Sequence, residues 1–243
     1  MLKLEQLAWN LPDGREFIKD LSLTIESGKL VVVTGPNGGG KTTLAKLIAG
    51  IEVPLSGHIW LDNEDITKAD VTARSGKGIA YAFQQPVRFK GLTVRDLLEL
   101  AAGDKLEEQE LCSLLGKVGL CPEEYMDREM NAALSGGESK RIEIATVLAR
   151  GAKLSVFDEP EAGIDLWSFA RLVETFEELR ESVDGTLLII SHQERILSIA
   201  DEIVVIADGQ VRTAGQRQEV LPSLLSDERA VRCPLGKEEL CLE

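Results

Sequence analysis

The sequence predicts an α/β fold with a largely parallel sheet, and three observations carry that expectation. Short continuous apolar runs at Leu30–Thr34, Leu154–Phe157 and Thr186–Ile190 read as strands buried on both faces. Segments of helical periodicity alternate with them, the order a parallel sheet requires. A glycine-rich turn links the first run to a helical stretch.

In chain order, residues 2–25 read as two strands joined at Pro12-Asp13-Gly14, a strong turn signal. The Leu30–Thr34 strand, the glycine-rich turn and a helix over Thr43–Ala49 follow, and strand character resumes at Gly57–Leu61 and Gly78–Phe83. From Thr93 to Asn131 the pattern turns helical, with Leu97, Leu98, Leu100, Leu111, Leu114, Leu115 and Val118 on the apolar faces, as expected of an inserted helical subdomain. Helices are then expected over Gly137–Arg150, Leu166–Arg180 and Gln193–Ala200, alternating with the two later apolar strands. Ile203–Ala207 and Gln210–Thr213 make a hairpin through Asp208-Gly209. The tail from about Ser226 is charged and weakly patterned, and composition predicts poor order there.

The 243 residues suit one large domain or two small ones. With 27 Lys and Arg against 41 Asp and Glu, the formal net charge is -14. That balance argues against nucleic acid as a partner, because phosphate neutralisation needs clustered cations. It argues equally against an anionic membrane surface. No apolar run approaches the ~20 residues that span a bilayer, and Met1–Asn10 lacks the pattern of a signal peptide, so a cytoplasmic location is the expectation. Cys112, Cys121, Cys233 and Cys241 show no C-x-x-C spacing and read as reduced thiols.

Three constellations carry chemistry. The first, Gly35-Pro36-Asn37-Gly38-Gly39-Gly40-Lys41-Thr42-Thr43, fits G-x-x-x-x-G-K-[ST] between a buried strand and a helix. Its glycines let backbone N–H groups converge on phosphates, and the helix start adds partial positive charge. Lys41 is expected at the β- and γ-phosphates of ATP, with the Thr42 hydroxyl on Mg²⁺. The second, Leu134-Ser135-Gly136-Gly137-Glu138, precedes a long helix, and Ser135, Gly136, Gly137 and Glu138 are its candidate nucleotide-binding residues. Ser135 and the Gly136 and Gly137 amides can hold a γ-phosphate there, and their distance in sequence from the first loop suggests the nucleotide of a second copy. In the third, the Leu154–Phe157 strand ends in two carboxylates. Asp158 would hold Mg²⁺ through water, and Glu159 would orient or deprotonate the attacking water.

Together these motifs resemble the ATP-binding-cassette (ABC) ATPases, and the resemblance spans Met1 to about Gln218. It implies a P-loop NTPase domain over residues 1–225, with a RecA-like core (1–90 and 151–225), an antiparallel β edge and a helical subdomain (91–150), followed by a tail (226–243). It also implies two copies closing head to tail on Mg-ATP. Gln84 matches the glutamine that touches Mg²⁺ and water, with Gln85 a weaker candidate for that role. Asp165, in Ala162-Gly163-Ile164-Asp165, matches the loop that crosses the dimer interface, and His192 matches the switch histidine at the γ-phosphate. An aromatic residue usually stacks on adenine near the end of the first strand. Leu11 occupies that position, with Trp9 or Phe17 as the substitutes, which implies loose base selectivity. His58 lacks any such context and reads as an ordinary strand residue.

Within the family, Ala82-Phe83-Gln84-Gln85-Pro86-Val87, Ser135–Arg141 and His192–Leu197 look like SufC, the ATPase of Suf iron–sulfur cluster assembly. That likeness gives the leading expectation, an ATPase of iron–sulfur cluster assembly with a soluble Suf-type scaffold protein as partner, and a transporter subunit is the alternative. Glu159–Asp165, with Pro160, and Ala145–Arg150 look instead like transporter ATPases. They imply a membrane permease whose coupling helix meets the surface around Gln84–Leu100. On the SufC expectation, Cys233 and Cys241 are candidates to touch iron, sulfide or a scaffold thiol.

Overall fold

The structure, a computed structural model, describes residues 1–84, 89–131, 134–182 and 185–231. Gln85, Cys233 and Cys241 lie outside the described residues.

The chain opens with an antiparallel ribbon, β1 (Leu2–Asn10) and β2 (Glu16–Ile25). The turn between them closes where Gly14 N–H donates to Leu11 C=O at 2.8 Å. β3 (Leu30–Thr34) is buried at every position and feeds α1 (Lys41–Ala49). β4 (Ser56–Leu61) and β5 (Glu64–Asp65) complete a four-stranded sheet in the order β2-β1-β4-β5. α2 (Val71–Gly76) leads to β6 (Ile79–Ala82). A helical stretch follows: α3 (Val94–Ala102), α4 (Glu108–Lys117), α5 (Pro122–Tyr125) and α6 (Gly136–Ala149). Then come β7 (Leu154–Asp158), α7 (Leu166–Ser182), β8 (Thr186–Ile190), α8 (Glu194–Ile199), β9 (Glu202–Ala207), β10 (Gln210–Gln216) and α9 (Arg217–Val231).

The second sheet is ordered β10-β9-β3-β8-β7-β6. Every pairing in it is parallel except β10 with β9, which are joined by the Asp208-Gly209 turn. A fully apolar strand needs cover on both faces, and the core divides accordingly. One cluster packs α1 between the two sheets through Leu44, Leu47 and Ile48. The other joins the opposite face to α3, α6 and α7 through Leu98, Ile142, Phe157 and Phe176.

The predicted strands are present with ends shifted by a residue or so, and the β9–β10 hairpin extends to Gln216. Three elements escaped the sequence reading. β5 has two residues and α2 six, too short for periodicity to register. α9 carries Pro222 inside it, which masks a helix because proline lacks the N–H of the i→i−4 bond. It runs past residue 225 to Val231, so regular structure enters the segment expected to be poorly ordered. Among the described residues, no helix is long and apolar enough to cross a membrane.

Candidate nucleotide site

Parallel strands deliver their carboxyl ends to one edge of a sheet, and α/β sites are built there. β3, β8, β7 and β6 are neighbours in register, with Val33 beside Ile190, Ile190 beside Asp158, and Phe157 beside Ala82. The segments that leave these four strands carry the glycine-rich loop, His192, Asp158 with Glu159, and Gln84. Chain order scatters these groups over more than a hundred residues, and strand order gathers them.

The glycine-rich loop is shaped by its backbone. Gly35 adopts φ 130°, and a Cβ there would lie 2.0 Å from the Ile206 carbonyl oxygen. Gly40, at φ 108°, is the N-cap of α1 and makes no side-chain cap bond, so no side chain of the cap competes for the first-turn amides. Lys41 is buried, and its Nζ donates to the carbonyls of Gly35 (2.8 Å) and Pro36 (2.9 Å), bridging the loop mouth. Burial pushes the Lys41 ammonium below the usual lysine range, opposed by the charges of Glu159 and Asp158. A buried cation with only carbonyl partners, under a ring of amides, fits a polyphosphate. Pro36, Asn37, Gly38, Gly39 and Thr43 complete the loop and the first turn.

Asp158 is fully buried. Its Oδ1 accepts from Thr42 Oγ1 at 3.2 Å and its Oδ2 from the Tyr81 hydroxyl at 3.0 Å. Burial raises the Asp158 carboxyl, and the two hydroxyl donors hold it down. A hydroxyl and a carboxylate oxygen side by side form an all-oxygen donor pair that suits Mg²⁺ with its retained waters.

Glu159 stands in left-handed backbone, φ 47°, where a non-glycine residue is strained. Its N–H donates to Ile190 C=O (3.0 Å), and its C=O accepts from Ala162 N–H (3.0 Å). Gln84 Nε2 donates to Glu159 Oε2 at 2.6 Å, so the glutamine meets the carboxylate directly. Across the site, His192 is exposed on the loop after β8, with its Nδ1 3.5 Å from Thr34 Oγ1.

Ser135 is the N-cap of α6 in a full capping box. Its Oγ accepts from Glu138 N–H at 3.2 Å, and Glu138 Oε2 accepts from Ser135 N–H at 2.6 Å. Glu138 also accepts from the Tyr125 hydroxyl, and these bonds hold its carboxyl down at about 2. Its carboxylate thus serves the shape of the loop, while the Gly136 and Gly137 amides stay outside the cap. Gly137 packs on the next loop so tightly that a Cβ would lie 2.8 Å from Gly163 C=O. Asp165 caps α7, its Oδ1 accepting from the N–H groups of Trp167 (3.1 Å) and Ser168 (3.0 Å). At the adenine end, Trp9 and Phe17 contact each other edge to face at 6.1 Å, and Leu11 lies partly buried in the β1–β2 turn.

Sequence reasoning missed Tyr81 and Lys140. Lys140 is fully buried, and its ammonium donates to the Phe83 carbonyl and reaches the Gln84 and Asp158 carbonyls at 3.5 Å. A lysine inside the helix that follows a signature motif gives no periodic cue for this role. Tyr81 was visible only as one aromatic in a strand.

Beside the site, an apolar groove of about 360 Å³ runs between the parallel sheet and the helical stretch. Tyr81, Phe83, Phe89, Leu97 and Leu100 line it, with Glu143 and Arg150 among its polar groups. Phe83, Phe89 and Leu100 are exposed.

A phosphate loop, a paired hydroxyl and carboxylate, a strained glutamate at a strand end and a serine-capped Gly-Gly helix define an ATPase of the cassette type. The chain belongs to the ABC transporter family, whose model matches residues 18–162. It is accordingly an ATPase that uses ATP with Mg²⁺.

The chain is 36% identical over 215 residues to the uncharacterized ABC transporter ATP-binding protein MJ0035 of Methanocaldococcus jannaschii, covering 85% of this chain and 86% of that one. It is 32% identical over 231 residues to the lipopolysaccharide export system ATP-binding protein LptB of Escherichia coli K12, covering 93% of each. In structure it resembles cbiO1 of Clostridium perfringens, part of the ABC transporter complex cbiONQ. The TM-score is 0.75 at 29% identity, over 96% of this chain and 95% of that one. The fold of dimeric MJ0796 bound to ADP and Pi matches with TM-score 0.81 at 23% identity, over 89% and 99%. These relatives are transporter ATP-binding proteins, which favours the permease expectation over the SufC one.

Proposed function

We propose that this chain is the nucleotide-binding subunit of an ABC transporter, acting at the cytoplasmic face as a head-to-tail pair of copies coupled to a membrane permease. The observation that carries this reading is the 93% mutual coverage with an export-system ATP-binding protein. The exposed apolar groove beside Gln84 supports it, because a coupling helix needs such a seat. On this reading residues 1–225 act as one ATPase domain, with residues 91–150 as the helical arm.

In the site, the loop amides of residues 35–43 and the Lys41 ammonium bind and orient the β- and γ-phosphates. Thr42 and Asp158 would hold Mg²⁺, which supplies positive charge to the phosphate oxygens. Tyr81 keeps the Asp158 carboxylate aimed at that position. Glu159 accepts a proton from, or orients, the attacking water, and Gln84 fixes the carboxylate that does so. His192 donates to the γ-phosphate from the opposite side. Ser135, Gly136 and Gly137 of one copy close over the nucleotide of the other, with Asp165 shaping the loop between them. The chemistry is positioning and charge stabilisation more than bond-making by protein groups.

The SufC-like stretches at Gln84, Ser135–Arg141 and His192–Leu197 favour a second reading, a cluster-assembly ATPase on a soluble scaffold. One experiment separates the two: anaerobic affinity capture of the tagged chain from its own cells, with and without detergent, followed by mass spectrometry. The transporter reading expects a polytopic membrane protein that co-purifies only in detergent. A soluble scaffold carrying iron and sulfide would overturn it in favour of the second reading.

A further inference from the structure

Glu161 lies two residues beyond Glu159, and no step above uses it. It is a half-buried acid whose Oε2 is sealed from solvent and has no hydrogen-bond partner. Such a group is expensive to keep unless its geometry does something. Its other oxygen, Oε1, accepts from Ser191 Oγ at 2.6 Å.

Ser191 is fully buried, and both its hydroxyl and its N–H are bonded. Its hydroxyl donates to Glu161 and accepts from Gln193 N–H at 3.0 Å, and its own N–H donates to Val33 C=O at 3.2 Å. His192 is the residue between the two that this hydroxyl ties. On the other side, Glu161 belongs to the turn that carries Glu159, since Ile164 N–H donates to Glu161 C=O at 3.1 Å and Ala162 N–H to Glu159 C=O at 3.0 Å. Burial raises the Glu161 carboxyl, opposed first by the Ser191 bond and also by the nearby His192 backbone N–H.

We infer that Glu161 is a positioning residue for His192, acting through Ser191 as a strut between the turn after β7 and the loop after β8. The strut fixes the separation of Glu159 and His192, which stand just beyond the ends of the neighbouring strands β7 and β8 and face the same phosphate in the mechanism proposed above. The inference rests on that placement of His192. A carboxylate reaches where an alanine cannot, and a glutamine keeps the accepting oxygen while removing the buried charge.

The test measures kcat, KM for ATP and melting temperature for Glu161→Ala, Ser191→Ala, the double variant, Glu161→Gln and His192→Ala in the full chain. Each single alanine at 161 or 191 is expected to lower kcat about tenfold, with KM changed by less than about twofold. Because both remove one strut, the double variant is expected to be no slower than the slower single. Glu161→Gln is expected to recover kcat to within about twofold of the parent, at a melting temperature no lower. Multiplying losses in the double variant, an unchanged kcat in both singles, or Glu161→Gln as slow as Glu161→Ala would each overturn the inference. If Glu161→Ala does not fold, Ser191→Ala and Glu161→Gln decide the matter alone. A His192→Ala variant with full kcat would remove the histidine from the site and the strut's purpose with it. A slow His192→Ala beside normal strut variants would sink only the strut.

Discussion

Two helices in this molecule begin at glycine-rich turns expected to face phosphate, and they are finished in opposite ways. α1 starts from Gly40 in left-handed backbone with no side-chain cap, and a buried lysine sits in its first turn. α6 starts from Ser135 in a capping box closed by Glu138, with Tyr125 holding that glutamate in turn. An uncapped start leaves its first-turn N–H groups without a side-chain acceptor from the cap, so on the reading proposed above α1 offers an anion site within one chain. The capped start spends its Glu138 amide on its own serine and keeps only the glycine amides to offer. The first loop should therefore govern whether nucleotide binds, and the second whether bound nucleotide brings copies together.

The largest effect expected from this contrast is at Lys41. Lys41→Ala removes the one charge inside the α1 loop and should weaken ATP affinity at least about 100-fold, since hydrogen bonds from a charged donor at a phosphate are among the strong ones. Fluorescent-nucleotide titration reads it directly. Normal affinity would mean the loop is not the phosphate site.

Glu159→Gln should leave binding intact and slow turnover at least about 100-fold, the usual loss on removing a general base. ATP should then hold the variant as a dimer in size-exclusion chromatography. Trp167 offers an independent report on that state: it is 84% exposed and lies two residues beyond Asp165 in the first turn of α7, where the next residue, Ser168, accepts through its Oγ from Arg141 Nη1 of α6. Its emission should move to shorter wavelength when ATP is added to Glu159→Gln, and Trp167→Phe should abolish the shift. Dimer formation with unchanged emission would put this turn outside the contact.

A third effect concerns the far end of α1. Arg74 is buried, and its guanidinium donates to the carbonyls of Leu47, Ile48, Ala69 and Thr67. Burial depresses its affinity for the proton, with Asp65 opposing. The arginine closes the carboxyl end of the helix whose amino end is left open. Arg74→Ala orphans several of these carbonyls and should cost roughly 3 kcal/mol of stability, at the upper end for one unmade buried bond. Calorimetry would show this as a lower melting temperature, and an unchanged value would mean water takes over the cap without loss.

These contrasts also mark how far the sequence could be read. The α1 loop was legible residue by residue, because glycines, lysine and threonine act there through spacing along one segment. Asp158 and Glu159 were legible as a pair at a strand end, and Gln84 as a single residue after β6. Their direct contact at 2.6 Å was not, because it depends on β6 and β7 being neighbours in the sheet. Arg74, Tyr81, Lys140 and Glu161 share that fate: each looks like an unremarkable polar residue until folding brings its partners from a distant segment. Glu138 was read as a ligand because its motif is contiguous with Ser135, whereas the structure commits it to the cap. The relatives moved the partner assignment for a similar reason, since docking partners are chosen by surfaces that short motifs do not encode.

Glu138 gives the smallest and most specific prediction, because its effect depends on pH. Its folded-state carboxyl is held at about 2, chiefly by the Tyr125 hydroxyl and then by Ser135. The ordinary value for a glutamate is 4.5. A depressed pKa contributes stability that is fully present above the unfolded value and is lost as pH falls toward the folded one. The parent should therefore melt above Glu138→Gln by a constant margin from pH 7 down to about 5, and the margin should shrink between about 5 and 2. Melting curves across that range decide it. A margin that survives undiminished to the acid end would mean that the shape of the glutamate, rather than its charge, closes the α6 cap.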